Sequence, residues 1–153
     1  MKDLRLKFSV YGFIIALLQG IPNIVWVLFP PAVDILKGNS SSNPIIEYGE
    51  HILGVSIVIL LLFLINVKQQ NVVLKNKFTV LSFIFIALYW VCWILYFYEV
   101  QYLLIIYMMV ILPPIAFFFA GIAKKVYLIS GASIVFLIFH LAVAAENFPI
   151  KPF

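Results

Sequence analysis

Five apolar runs, each about as long as a bilayer is thick, constrain this chain more than any other feature of its sequence. A helix needs about 20 mostly apolar residues to cross a hydrocarbon core of roughly 30 Å. Stretches of that kind lie at residues 8–30, 45–66, 78–98, 102–123 and 126–145. Pro30-Pro31 stops the first. The polar segment from Gly38 to Pro44 precedes the second and ends in a helix-start signal, with Asn43 as cap and Pro44 in the first turn. The connectors Lys68 to Lys77, Glu99-Val100-Gln101 and Lys124-Lys125 are short, so successive helices must run antiparallel. The expectation is an all-α, polytopic integral membrane protein: one domain over residues 1–153, a bundle of five transmembrane helices.

Composition excludes the alternatives. Of 153 residues, 65% are hydrophobic and 10% charged, against about half and a quarter in soluble domains. That is too little charge to cover a water-facing surface, and it argues against a nucleic-acid partner. With 15 Phe, 8 Tyr and 3 Trp the chain is no solvated coil. The single cysteine, Cys92, can form no internal disulfide. Lys2, Arg5 and Lys7 precede the first apolar run as in a secretory signal, but Phe8 to Phe29 is too long for a signal core and ends without an Ala-x-Ala-like site, so a retained helix is expected.

Charge gives the expected orientation. With the N-terminus inside, Lys2, Arg5, Lys7, Lys68, Lys75, Lys77, Lys124 and Lys125 fall on the cytoplasmic side, leaving Lys37 and Lys151 outside. Asp3 is then inside, against Asp34, Glu47, Glu50, Glu99 and Glu146 outside. The expectation is N-in, C-out in a cell membrane, that of the bacterial cytoplasm. Trp26, Trp90, Trp93, Tyr96, Tyr98 and Tyr102 fall mostly in the outer halves of their spans, as an interfacial belt does.

Small and polar residues mark packed faces where lipid tails are as apolar as leucine. Ser9, Gly12, Ala16, Gln19, Gly20 and Asn23 form such a stripe on span 1. Glu47, Glu50, His51 and Gly54 form one on span 2, and Ser130, Ser133, Leu137, His140 and Ala144 one on span 5. These three should face one another, with the bulkier span 3 nearer lipid. Spans 1 and 4 should be kinked or broken by Pro22 and Pro113-Pro114, because proline removes a helix donor.

Ionisable groups within membrane helices invite a functional reading. His51 and His140 both fall roughly 8–10 Å below the outer boundary, so they can meet with Glu50, with Glu47 one turn above and Glu99 and Glu146 at the rim. The candidate ligand or proton pathway is therefore Gln19, Asn23, Glu47, Glu50, His51, Glu99 and His140. No catalytic motif is present. Three functions are open. The favoured one is non-enzymatic: transport of a small solute or ion, alone, as a homo-oligomer, or as a subunit beside another membrane protein. The second is a membrane-embedded enzyme or sensor in which His51, His140 and Glu50 hold a divalent metal. The third is a structural or immunity-type protein, in which the carboxylates complement a helix N-terminus and the histidines hydrogen-bond between helices. His140 should point inward, sharing a face with Ser133 and Ala144, while Phe136 and Phe139 project elsewhere. In length, five spans and aromatic richness the chain is similar to the tryptophan-rich sensory/translocator proteins. It lacks their Trp-x-Pro-Pro signature, since Phe29-Pro30-Pro31 carries no tryptophan, and membership does not follow.

Overall fold

The structure is a computed structural model that describes residues 3–69 and 75–150. Lys2, Lys151 and the middle of the Lys68–Lys77 connector, which entered the charge count and the connector reading, lie outside the described residues. Five helices follow in order: α1 (Val10–Leu28), α2 (Pro44–Phe63), α3 (Lys77–Phe97), α4 (Leu103–Lys124) and α5 (Tyr127–Asn147). Each is long and apolar enough to cross a membrane. Their 19 to 22 residues correspond to roughly 28–33 Å at 1.5 Å per residue. The starts have local causes. The side chains of Ser9, Asn43 and Asn76 accept from the backbone N–H groups of Gly12, Ile45 and Phe78, and Pro44 opens α2 where its missing donor costs nothing.

Both proline-containing helices run on without interruption. α1 continues through Pro22 and α4 through Pro113 and Pro114, so of the kink or break expected at these prolines, the break does not occur. Pro22 leaves the carbonyl of Leu18 without its helical donor. The indole N–H of Trp90 in α3 donates to that oxygen at 2.8 Å. A neighbouring helix thus re-satisfies the freed group, as hydrocarbon demands. Trp90 is therefore an interhelical partner and not an interfacial anchor.

The second span ends earlier than expected. Leu64–Asn66 leaves the helix as a short strand, β2, pairing antiparallel with β1 (Leu4–Leu6), Leu4 opposite Asn66. This ladder was not foreseen, and it finishes a helix end. The last four carbonyls of a helix lack intrahelical donors. Here Leu60 O accepts from Leu64 N, Leu62 O from Ser9 N at 2.8 Å and Phe63 O from Lys7 N at 2.8 Å. Leu61 O accepts from the ammonium of Lys124 at 2.5 Å. Lys124, expected in a loop, is buried at the end of α4, where its charge also complements the negative end of the α2 dipole. Gly12 makes this close approach possible, because a Cβ there would collide with the Leu61 carbonyl.

Burial corrects the expected arrangement. α4 is the central helix, with 50% of its most apolar window buried, and α2 the most peripheral at 11%. α3 is buried as much as α5, so it does not lie nearer lipid. It packs on α4, α4 on α5 and α5 on α2, while α1 leans on α2 with lighter contact to α3 and α4. The reason lies in the small residues of α4. Ala116, Ala120, Gly121 and Ala123 of α4 are all buried, so its neighbours come close. A Cβ on Gly121 would strike Ser130 of α5. Against the other half of α4, the large rings of Tyr89, Trp93 and Tyr96 interlock edge to face and fill the interior. Of the expected belt, Tyr98 and Tyr102 are exposed, whereas Trp93 and Tyr96 are core.

The two ends of the bundle differ in charge. One carries β1, β2, Lys124 and Lys125. The other carries Asp34, Glu47, Glu99, Glu146 and the 29–43 segment. That segment is fastened across its end. The Trp26 indole and the Tyr96 hydroxyl both donate to Asp34, at 3.1 and 2.6 Å, and Gln101 Nε2 donates to Val33 O at 2.7 Å. Ser41 Oγ and Ser42 N donate to Glu146 at 2.7 and 2.8 Å, and Ser41 N to Glu47 at 2.7 Å.

Candidate functional site

A cleft of about 260 Å³ lies where all five helices meet. Gln19, Gly20 and Asn23 of α1, Gly54 of α2, Tyr89 of α3, Pro113 and Phe117 of α4, and Phe136 and His140 of α5 contribute to its wall. Gln19 and Gly54 are each about ten residues from the start of their helices, which puts this level roughly 14 Å deep, near the middle of a bilayer. It exists because α1 carries small residues on this face. Gly20 offers no side chain, and a Cβ built there meets nothing within 4 Å. A Cβ on Gly54 would only touch the Phe136 ring, at 3.5 Å.

Polar groups line it in pairs, with one exception. Asn23 Nδ2 donates to Gln19 O at 3.0 Å and to the Tyr89 hydroxyl oxygen at 2.9 Å. His140 Nδ1 pairs with Glu50 Oε1. Both side chains are largely buried, at 23% and 13% exposure. The imidazole also stacks on Phe136, with centroids 4.9 Å apart. Gln19 is the exception. It is only 4% exposed, and neither Nε2 nor Oε1 of its carboxamide has a hydrogen-bond partner among the described residues. A buried polar group left unpaired costs about 1–3 kcal/mol, so such groups need an explanation in function or in a bound molecule.

Of the residues singled out from sequence, Gln19, Asn23 and His140 come together at the cleft, and Glu50 stands behind His140. His51 does not join them. Consecutive helical residues point about 100° apart, so a Glu50 facing α5 turns His51 away. The His51 side chain is 67% exposed, 3.8 Å from Glu47. Glu47 otherwise holds the 29–43 segment through Ser41 N. Glu99 is exposed in the α3–α4 turn with φ 62, and it lines no part of the cleft. Among the described residues no three of His, Cys, Asp or Glu converge as metal ligands, so the His51, His140 and Glu50 set is not assembled. His140 points inward beside the buried Ser133 and Ala144, as expected. Phe136, expected to project elsewhere, lies one turn before it on the same face and packs against it.

Sequence reasoning missed Tyr89 and Phe136 as members of the site. Tyr89 was read as part of an aromatic-rich lipid-facing helix. Its signal was its place three and four residues from Cys92 and Trp93, a buried i, i+3, i+4 face. Compared with known proteins, the chain matches no family model, no curated protein and no solved structure.

Proposed function

We propose that the protein is a multi-pass membrane protein that carries a small solute across the bilayer through the central cleft. The observation that carries this reading is the unpaired carboxamide of Gln19 beside a cleft at mid-membrane depth. Both polar atoms of that side chain are unpaired and stand beside open volume. The basic end with Lys7, Lys68, Lys124 and Lys125 is cytoplasmic in this reading, in keeping with the positive-inside rule. In a Cys92→Ser background, a membrane-impermeant maleimide applied outside should label a cysteine at Ser41 and spare one at Lys75.

The transport test uses purified protein in liposomes, with stopped-flow light scattering for glycerol, urea, acetamide and potassium chloride. At least one of these should cross faster than in protein-free liposomes. Gly20→Phe, which fills open space in the cleft wall, should remove that flux while the protein stays folded. Flux unchanged by this substitution, or none above background, overturns the reading. The Glu50–His140 pair favours a second reading, an enzyme or sensor built on this largely buried pair. It requires an activity or signal that is lost in both Glu50→Gln and His140→Ala while liposome flux stays at background.

A further inference from the structure

We infer that the cleft binds a compact, uncharged molecule presenting a hydrogen-bond donor and an acceptor side by side, the edge of a carboxamide or lactam, on a flat ring. The inference rests on the transport reading in taking the same cleft as the solute's site, and it names the class of that solute.

Charge decides the first part. No Asp, Glu, Lys or Arg is among the described residues that line the cleft. Glu50, which stands behind His140 of the wall, is already engaged by that imidazole. A charged ligand would leave water for a low-dielectric site with no free counter-charge, a transfer that is strongly opposed. Hydrogen bonding decides the second part. A primary carboxamide offers an N–H donor and a carbonyl acceptor in one plane, and both atoms of Gln19 lack partners. A ligand with an acceptor alone would leave Oε1 unpaired, and a purely apolar one would leave both. An amide edge satisfies both at once. Nearby, the Asn23 amide nitrogen is already committed to Gln19 O and Tyr89, which leaves its oxygen and the Tyr89 hydroxyl proton to serve further polar atoms.

Shape decides the third part. Phe117, Phe136 and Tyr89 present ring surface to the cleft while Gly20 and Gly54 leave room beside them. Aromatic walls favour a flat partner by offset or edge contacts. The volume of about 260 Å³ lies just under the range of about 300–1,000 Å³ for drug-sized ligands. One ring with one amide group is the right scale.

The experiment uses fluorine NMR on protein in lipid nanodiscs, with protein-free nanodiscs as the blank. The probes are 4-fluorobenzamide, 4-fluorobenzoate and 4-fluorobenzylammonium. The benzamide should show saturable broadening, with the anion and the cation at least tenfold weaker. Gln19→Leu should weaken the benzamide at least tenfold, Gly20→Phe should abolish its binding, and His51→Ala should leave it unchanged. Benzoate or benzylammonium binding more tightly than the amide overturns the inference. So does amide binding indifferent to both cleft variants, or no saturable binding of any probe. Should Gln19→Leu fail to fold, Gly20→Phe carries the test alone. Flux blocked by Gly20→Phe without amide binding removes the ligand class and keeps transport. Amide binding without flux does the reverse.

Discussion

The basic end of the bundle and its centre solve the same problem in opposite ways. At the basic end the last turn of α2 exposes four carbonyls, and every one of them is met, by Leu64, Lys124, Ser9 and Lys7. At the centre, Gln19 brings two polar atoms into the deepest part of the molecule and leaves both unmet. α1 passes through both regions, with Gly12 at the first and Gln19 at the second, seven residues apart on one stripe of small and polar side chains. The stripe therefore has two uses. Around Gly12 it allows backbone to meet backbone, and around Gly20 it leaves space. The unmet carboxamide beside open space is the observation on which the proposed function rests.

The comparison breaks most readily at the clasp. Gly12→Leu drives a side chain into the Leu61 carbonyl and should cost roughly 3 kcal/mol, the upper end of typical overpacking. A large drop in the detergent melting temperature, or failure to accumulate in the membrane, would register it. Lys124→Met keeps the aliphatic stem but removes the donor to Leu61 O. It should cost about 1–3 kcal/mol, as for a buried acceptor left unmet, with binding at the cleft intact in whatever fraction folds. A variant as stable as the parent would show that the clasp does not hold the helix end. Trp90→Phe sits between the two regions, freeing the Leu18 carbonyl beneath Pro22. Interhelical hydrogen bonds in membranes average about 0.6 kcal/mol and reach about 1.7, so a loss of about 1 kcal/mol is expected, read by thermal or denaturant unfolding.

Much of the fold was legible because hydrocarbon leaves so few choices. Five long apolar runs with short polar connectors could hardly be anything but five spanning helices. The Asn43-Pro44 start and the inward stripes of α1 and α5 followed from local chemistry. The order of packing was not legible. Large aromatic side chains such as Trp93 and Tyr96 read as an interfacial belt, yet the small residues of α4 gave them somewhere to go, and that complementarity exists only between helices. The β1–β2 ladder was hidden because Leu4–Leu6 and Leu64–Asn66 are far apart in sequence and too short to show a period of two. At the site, Gln19, Asn23 and His140 were visible as polar residues at depth. His51 looked equivalent to Glu50 because burial depth can be counted from sequence, whereas rotation about the helix axis is fixed only by the neighbour that Glu50 finds in α5.

The central claim is that Gln19 is kept for what enters the cleft and not for what holds the bundle together. Measuring stability and solute flux side by side in Gln19→Leu tests it most directly, since leucine nearly conserves volume while removing both unpaired atoms. The account predicts a melting temperature equal to or above that of the parent, because an unsatisfied buried amide is lost, together with flux through the cleft reduced at least tenfold. A variant that is clearly less stable yet transports as the parent does would contradict it.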